Sequence, residues 1–259
     1  MQYPENPFIR GLRAKDPQIG LWISLASNFA AEVVAPAGFD WALIDMEHSH
    51  NDYASVLGQL QAFAPYSTVP IVRVEWNDAV AVKRLLDIGA PGLLFPMIQT
   101  KEEAERAVAA TRYPPRGIRG VAGSTRATKF GRITDYAARI EEETAVLLQI
   151  ETCAALDRAE EIAAVEGVSG VFFGPADIAA DMGKLGQPAL PEVWDRIRPA
   201  ARRVMEMGVP VGTLVSVRAL AADLLREGFS FVACGTDTGL LAQGSDSLLA
   251  DMRARIQGA

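Results

Sequence analysis

Histidine and cysteine are scarce in this sequence. Its 259 residues include two histidines, His48 and His50, and two cysteines, Cys153 and Cys234. A zinc site made of three histidines is excluded, because there is no third histidine. Two cysteines make no disulfide framework and fit a reducing compartment, so we expect both to be buried thiols.

Lysine is scarce as well, and none of the lysines lies in a segment that we predict to be a strand. The chain has only Lys15, Lys83, Lys101, Lys129 and Lys184. An enzyme that works through a Schiff base needs a lysine that reaches the reacting carbonyl, usually from a strand. Covalent imine chemistry is therefore not expected.

Long apolar runs and an excess of positive charge are also missing. No run approaches the roughly 20 apolar residues that a bilayer span needs, and the N-terminal residues lack the apolar stretch of a signal peptide. The formal net charge of −7 argues against nucleic acid as a partner. We expect a soluble, cytoplasmic protein without a membrane partner. The basic stretch Arg112–Arg132 is either a solvated loop or a site for an anionic substrate.

What the sequence does contain is a regular alternation of apolar runs and helical patterns. Most runs are nearly continuous in apolar residues, as expected for parallel strands that are covered on both faces. The runs are Ile19–Leu25, Trp41–Glu47, Pro70–Glu75, Gly92–Ile98, Thr144–Glu151, Gly170–Ile178, Pro210–Val215 and Phe231–Asp237. Eight such runs predict a (β/α)8 barrel, a TIM barrel, as one domain over residues 1–259. A doubly wound open sheet is the alternative.

Residues that favour helix boundaries lie between these runs. Thr100 and Glu103 form a capping-box pattern, in which both side chains serve amides of the first turn. Asn77 or Asp78, and Ser216, are predicted to cap the helices that follow them. Left-handed glycines are expected at three helix ends, namely Gly89, Gly208 and Gly228.

Polar side chains lie at the carboxyl ends of several predicted strands, where barrels of this class place their catalytic groups. Residues two apart in a strand share a face, so Asp45 points with Glu47, and Gln149 points with Glu151. Together with Asp177 at the end of the sixth strand, Glu151 would make an oxygen-rich site that suits Mg²⁺ or Mn²⁺ and leaves positions open for substrate. The alternative is that Glu151 only starts a helix and Asp177 only caps the next turn.

Two further side chains at these strand ends have a functional and a structural interpretation. Arg73 interrupts an apolar strand, and either binds a carboxylate or 2-oxo oxygen of a substrate or forms an ion pair with a strand-end acid. His48 lies three residues after Asp45, whose carboxylate would fix the imidazole tautomer and give a proton shuttle. His50 is expected to be peripheral. The segment Gly174–Ala176 would let a ligand approach the main chain closely.

Several of these segments resemble, in the same order, segments of the HpcH/HpaI aldolases. These class II pyruvate aldolases include 4-hydroxy-2-oxoheptanedioate aldolase and 2-dehydro-3-deoxyglucarate aldolase. The segments are Leu43–His48, Arg73, Leu93–Met97, Tyr113–Gly120, Gln149–Glu151 and Phe172–Asp177. The resemblance, from about Gly20 to Gly239, implies reversible aldol cleavage of 4-hydroxy-2-oxo acids to pyruvate, or hydroxypyruvate, and an aldehyde through a metal-stabilised enolate.

The resemblance also implies roles for single residues. It implies Mg²⁺, Mn²⁺ or Co²⁺ on Glu151 and Asp177, and no organic cofactor. The catalytic residues it implies are His48, Asp45, Arg73 and Asp87, and the substrate-binding residues are Arg73, Gln149, Gly174, Pro175, Ala176 and Leu214. His48 would be the acid/base group, oriented by Asp45, and Asp87 would lie near a neighbouring subunit's site. Family members form hexamers, as dimers of trimers that exchange the last helix, so Leu240–Ile256 would pack on a partner.

The residues expected on the acceptor side of the site, where the aldehyde would bind, depart from the family pattern. Thr213 and Ser216 stand where relatives are often more apolar, and Arg116 and Arg126 vary, so the natural aldehyde stays open. A citryl- or malyl-CoA lyase-like enzyme is one alternative, and a non-catalytic barrel that binds 2-oxo acids is another.

Overall fold

The protein is a closed barrel of eight parallel strands, seen in a computed structural model that describes residues 1–257. Each strand pairs with the next one along the chain, and the last strand pairs with the first. The strands are β1 (Gln18–Ile23), β2 (Trp41–Asp45), β3 (Val69–Arg73), β4 (Gly92–Phe95), β5 (Ala145–Ile150), β6 (Gly170–Phe173), β7 (Val211–Leu214) and β8 (Phe231–Thr236). The predicted (β/α)8 barrel is confirmed, and the open sheet is excluded.

Helices cover the outside of the barrel and close its amino end. They are α1 (Pro7–Ala14), α2 (Asn28–Val34), α3 (Tyr53–Phe63), α4 (Ala79–Asp87), α5 (Lys101–Thr111), α6 (Tyr136–Glu143), α7 (Cys153–Leu156), α8 (Ala159–Ala163), α9 (Pro175–Asp181), α10 (Pro191–Glu206), α11 (Arg218–Arg226) and α12 (Asp237–Gln257). A short 3-10 helix, Ala35–Ala37, follows α2. None of the described helices has the length and apolar character that crossing a membrane requires.

Large aromatic side chains fill the interior of the barrel. The rings of Trp41 and Phe231 lie 5.8 Å apart, and Phe8 of α1 packs on both of them at the amino end, at 5.8 and 5.6 Å. Glycines on neighbouring strands make room for these rings. A Cβ atom on Gly20 would overlap the Trp41 indole, and one on Gly212 would overlap Phe231. The interior is thus a packed core of alternating large and small residues, and the space for a ligand is left at its carboxyl end.

The observed strands are shorter than the predicted runs at their carboxyl ends. Asp45 and Arg73 are the last residues of β2 and β3, whereas Glu47 and Glu151 lie just beyond their strands. The largest difference is at β6, which ends at Phe173, so that Asp177 lies in the first turn of α9 and not in a strand. A Gly-Pro pair after Phe173 explains this boundary, since proline is well suited to the first position of a helix.

The helix boundaries confirm most of the sequence predictions. Gly89, Gly208 and Gly228 have φ angles of 91°, 81° and 105° at helix ends, and Asp78 caps α4. The Thr100 hydroxyl accepts from Glu103 N, but Glu103 itself accepts from the amide of Gln99, one residue before the cap. The prediction for Ser216 was wrong, because α11 begins at Arg218 after Val217 without a side-chain cap.

Both cysteines are free, but neither is fully buried as we expected. Cys153 is the first residue of α7 and Cys234 lies in β8, and each is partly exposed. The Cys153 amide donates to Asp181 Oδ2 at 2.7 Å in an exposed position, and Cys234 lines a small cavity beside Gly239 and Leu240 of α12.

The last helix, α12, extends away from the barrel. Asp237 is its only buried residue within the described part of the chain. Large apolar side chains along it are exposed, namely Leu240, Leu241, Leu248, Leu249, Met252 and Ile256. An apolar surface of this kind on a helix marks an interaction site more often than a solvated face.

We predict that Gly212→Ala destabilises the fold by about 1–3 kcal/mol, because the added methyl group overlaps the carbonyl oxygen of Phe231 as well as its ring. Thermal unfolding measures the effect. Gly244→Ala in α12 is the control, since a Cβ atom there meets nothing and alanine favours the helix. Equal unfolding temperatures for Gly212→Ala and the unsubstituted protein would contradict the interior packing described above.

Candidate active site

A cavity of about 420 Å³ opens at the carboxyl ends of the strands. Residues from seven strand ends line it, namely Trp22, Asp45, Arg73, Gln149, Gly174, Leu214 and Thr236. A second cavity, of about 390 Å³, lies at the opposite end of the barrel against α1. The first cavity is the candidate site, because it alone of these two collects the polar strand ends.

The buried guanidinium of Arg73 joins the acids of the β2 end. Its Nε and Nη2 atoms donate to the two carboxylate oxygens of Asp45 at 2.9 and 2.7 Å. Its Nη1 atom lies 2.7 Å from Glu47 Oε2, although the pair is not aligned as a hydrogen bond and that oxygen has no hydrogen-bond partner. The β2–β3 register places Asp45 directly opposite Arg73. The structural interpretation of Arg73 as an ion pair with a strand-end acid is therefore confirmed, and the same side chain also lines the cavity.

The two acids that contact Arg73 have pKa values shifted in opposite directions. Burial alone would raise the pKa of Asp45, but the hydrogen bonds and charge of Arg73, with a smaller contribution from Trp22, hold it below its ordinary value. Burial raises the pKa of Glu47 above its ordinary value, and the charge of Arg73 offsets this only in part. One arginine thus neutralises Asp45 well and Glu47 incompletely.

Glu151 is buried at the end of β5 and carries the largest shift at the site. Its Oε1 atom accepts from Met97 N at 2.6 Å, and its Oε2 atom accepts from Gln149 Nε2 at 2.5 Å. Burial raises the pKa of Glu151 to about 7, and the neighbouring charges of Asp177 and Glu47 act in the same direction. No cationic side chain is in contact with Glu151 in the described residues. The ionised form of this carboxylate is unfavourable unless positive charge is brought to it.

The donors around Glu151 and Asp177 fit a hard divalent cation. They are carboxylate oxygens, and Oε1 of the adjacent Gln149 is buried without a hydrogen-bond partner. The described residues contain no cluster of three or more His, Cys, Asp or Glu side chains that could hold a metal ion. A cation on Glu151 and Asp177 would therefore take its remaining ligands from water or substrate, as Mg²⁺ often does.

Gly174 keeps the main chain close to these acids. A Cβ atom on Gly174 would lie 2.8 Å from Glu151 Oε2 and 3.2 Å from Gln149 Nε2. Pro175 and Ala176 follow it along the cavity wall, and Asp177 faces the cavity from the same turn of α9. The structure thus brings together the residues that we expected to bind substrate on this side.

His48 lines the cavity, but the prediction that Asp45 orients its imidazole was wrong. Asp45 Oδ1 accepts from the main-chain amide of His48 at 3.3 Å, and both of its oxygens are occupied by Arg73. The His48 side chain is 67% exposed, and Nε2 lies 3.9 Å from Glu47 Oε1. Glu47 and not Asp45 is therefore the acid beside the imidazole.

Asp87 lies outside the cavity of its own chain. It is the last residue of α4 and accepts a hydrogen bond from Arg119 at 2.9 Å. Arg119 is fully buried and stacks on Tyr113, at 4.6 Å from the ring. The predicted catalytic role of Asp87 therefore has no support from the geometry within one chain.

Four residues were named as departing from the family pattern on the aldehyde side, namely Thr213, Ser216, Arg116 and Arg126. Of these, only Ser216 lines the cavity. Thr213 is buried and donates to Phe173 O at 2.9 Å. Arg116 pairs with Glu141 and Glu166 on the surface, and Arg126 donates to Ile88 O. No residue of the basic stretch Arg112–Arg132 lines this cavity, and Arg112, Arg116, Arg119 and Arg126 of this stretch form contacts within the chain.

Sequence reasoning missed several cavity residues, among them Trp22, Ser24, Phe172 and Thr236. Our search followed charged residues at strand ends, and the ends of β1 and β8 carry none inside the cavity. The strand periodicity did contain the signal for one of them, since Trp22 is two residues from Gly20 and shares its inward face.

Comparisons with known proteins agree with this geometry. Residues 18–244 match the family described as HpcH/HpaI aldolase/citrate lyase. A pyruvate aldolase of Rhizobium etli is 54% identical over 96% of this chain and 98% of the relative. A 4-hydroxy-2-oxo-heptane-1,7-dioate aldolase of Escherichia coli is 49% identical over 97% of this chain and 96% of the relative. The crystal structure of a family protein from Burkholderia cenocepacia J2315 superposes with a TM-score of 0.90, at 39% identity, covering 96% of this chain and 99% of that one.

We predict that the metal-free protein loses stability as the pH rises from about 4.5 to 7. In this window the folded state keeps a proton on Glu151, whose pKa is raised to about 7, while the unfolded chain has lost it. The free energy of unfolding then falls by up to about 1.4 kcal/mol per pH unit. Glu151→Gln removes this contribution, so in the metal-free state it is more stable than the unsubstituted protein at pH 8.

Thermal unfolding in the presence of a chelator measures this slope. The exposed Glu161→Gln is the control and keeps the slope of the unsubstituted protein. The same pH dependence in Glu151→Gln and in the unsubstituted protein would show that Glu151 is not the buried acid described here.

Proposed function

Because this chain belongs to the HpcH/HpaI aldolase/citrate lyase family and is a carbon–carbon lyase, we propose that it cleaves 4-hydroxy-2-oxo acids reversibly. The products are pyruvate, or hydroxypyruvate, and an aldehyde. The observation that carries this proposal is the excess of acid at the carboxyl end of the barrel. Arg73 forms ion pairs with Asp45 and Glu47, whereas the buried Glu151 lies near the negative charges of Asp177 and Glu47 and contacts no cationic side chain among the described residues.

We assign Glu151 and Asp177 as the residues that hold a divalent cation such as Mg²⁺, Mn²⁺ or Co²⁺. When bound, the cation supplies a Lewis acid that stabilises negative charge on a 2-oxo oxygen. The raised pKa of Glu151 and the unpartnered Gln149 Oε1 support this assignment, since both are relieved by positive charge. Which of the three metals is used in the cell depends on supply as well as on the site.

The part of the substrate that becomes pyruvate, the aldol donor, is held by residues on one side of the cavity. Arg73 presents a planar cation whose orientation is fixed by Asp45, and it stabilises charge that develops on the 2-oxo oxygen more than it stabilises the neutral ketone. Gln149 lines the same cavity. The main chain of Gly174 and Ala176 is open to the donor carboxylate, because Gly174 has no side chain to block it.

We assign the proton transfer at the 4-hydroxyl group to His48. Its imidazole is exposed at the cavity rim, with Glu47 as the neighbouring acid. A histidine can accept a proton near neutral pH and return it in the reverse reaction. Removal of the 4-hydroxyl proton breaks the C3–C4 bond and releases the aldehyde, and reprotonation of C3 gives the 2-oxo acid.

The rest of the cavity wall faces the aldehyde. It combines apolar side chains, such as Leu214 and Val215, with the hydroxyl groups of Ser24, Ser216 and Thr236. None of these residues carries charge, so this wall has no ion pair with which to select a second carboxylate on the substrate. A range of uncharged aldehydes is therefore compatible with it.

A cleavage assay with and without EDTA tests the proposal. We expect 4-hydroxy-2-oxo acid cleavage to stop in the chelated protein and to return with Mg²⁺ or Mn²⁺. Asp177→Asn should reduce kcat at least about 100-fold, because it removes one of two charged ligands. Asp181→Asn, on the same helix but outside the cavity, is the control. Full activity in the chelated protein and in Asp177→Asn would overturn the proposal.

We also propose that the chain forms a homo-oligomer, a dimer of trimers, in which α12 packs on a neighbouring barrel. The exposed leucines of α12 support this, because the described residues of their own chain do not cover them. Asp87, which lies outside the cavity of its own chain, would then face a neighbour's site.

We predict that Leu248→Glu reduces the molar mass in solution toward the 27.8 kDa of one chain, since it places a charge in the apolar surface of α12. Light scattering after gel filtration measures the mass. Ser247→Glu, exposed on the same helix, is the control and should keep the native mass. A monomeric unsubstituted protein, or an unchanged mass for Leu248→Glu, would count against an oligomer built on α12.

A further inference from the structure

The indole N–H of Trp22 makes a contact in the cavity for which the proposed reaction has no role. Trp22 is on β1 and is 5% exposed. Its Nε1 atom donates a hydrogen bond to Asp45 Oδ2 at 3.1 Å. Asp45 is also the acid that receives two hydrogen bonds from Arg73. Trp22 is therefore connected directly to the ion pair that fixes the arginine.

The ring of Trp22 also contacts the arginine itself. The Cζ atom of Arg73 lies 4.8 Å from the centre of the ring, a distance at which a cation is attracted to an indole face. Phe172 packs on the same indole, with ring centroids 5.7 Å apart. The indole is thus held between β2, β3 and β6, and it restrains both members of the Asp45–Arg73 pair.

The hydrogen bond has a distinct place among the contacts of Asp45. Oδ1 accepts from Arg73 Nε and from the amides of Glu47 and His48. Oδ2 accepts only from Arg73 Nη2 and Trp22 Nε1 among the described residues. Without the indole N–H, Oδ2 would keep only its hydrogen bond from Arg73 Nη2 among the described residues, and the Asp45–Arg73 pair would lose its restraint on the β1 side.

Other buried tryptophans in the chain do not have this arrangement. The indole N–H of Trp41 points to Gln18 O at 3.4 Å, and that of Trp194 donates to Pro188 O at 3.0 Å. Both bond to the main chain and neither lines the cavity. Trp22 donates to a charged side chain inside the cavity, which is more than packing requires.

From these contacts we infer that Trp22 is a positioning residue, which keeps Arg73 oriented toward the reacting 2-oxo group by holding Asp45 with its N–H and the guanidinium with its ring. The inference rests on the proposed function in so far as Arg73 stabilises the charge of the 2-oxo oxygen. Loss of the N–H should then affect kcat more than substrate binding, because the charge develops only as the C–C bond breaks.

The test compares Trp22→Phe with the matched control Trp41→Phe. We expect kcat to fall about tenfold in Trp22→Phe, the range for a hydrogen bond to a charged group, with KM within about twofold of the native value. Trp41→Phe should change kcat by less than about twofold. A second variant carries 3-benzothienylalanine at position 22, which keeps the shape of indole and replaces its N–H with sulfur. A fall in kcat in this variant then reports the loss of the N–H and not a change in packing.

A double-mutant cycle with Asp45→Asn, measured by thermal unfolding, gives a readout that does not depend on activity. If Trp22 acts through Asp45, the effects of Trp22→Phe and Asp45→Asn are not additive, whereas Trp41→Phe and Asp45→Asn add. An additive cycle, or an unchanged kcat in both position-22 variants of an active enzyme, would overturn the inference. An unsubstituted protein without cleavage activity would instead overturn the proposed function, and the catalytic role of Trp22 with it.

Discussion

An excess of negative charge at the mouth of the barrel is the constraint on which the site depends. Arg73 pairs there with Asp45 and Glu47, while Glu151 lies near the charges of Asp177 and Glu47 and contacts no cationic side chain among the described residues. The consequence is visible in the other acids, since burial raises the pKa of Glu47 and raises that of Glu151 to about 7. A divalent cation on the proposed ligands Glu151 and Asp177 would relieve this charge and would supply the Lewis acid that the proposed aldol cleavage needs.

The fold produces this constraint through strand register. Parallel strands place their carboxyl ends on one rim, and the β2–β3 register puts Asp45 directly opposite Arg73. Gly174 after β6 allows the main chain to pass within van der Waals distance of Glu151. Trp22 of β1 completes the arrangement from the other side, because its indole touches both Asp45 and Arg73. A polar cluster of this kind stays rigid only when each member is restrained by its neighbours.

The fold and the position of the site could be predicted from the sequence, but the pairing within the site could not. The eight apolar runs, and the expectation that Asp45 and Glu47 share one face of a strand, follow from local periodicity, which a single sequence contains. Whether Arg73 binds Asp45 or a substrate depends on register between strands, and both interpretations stayed open until the structure was known. The predicted orientation of His48 was wrong for the same reason, since Arg73 donates to both oxygens of Asp45, the acid that we had assigned to the imidazole. Trp22 was not predicted as a site residue, because we searched for charged residues at strand ends and Trp22 carries no charge.

A single structure determination can decide whether Glu151 and Asp177 hold the divalent cation. The direct measurement is an anomalous diffraction map of crystals soaked with Mn²⁺ and pyruvate. We expect one peak per chain at the carboxyl end of the barrel, bonded to oxygens of Glu151 and Asp177, with pyruvate beside Arg73. A peak bonded to other residues, or pyruvate bound in the cavity while both carboxylates lack manganese, would contradict this assignment.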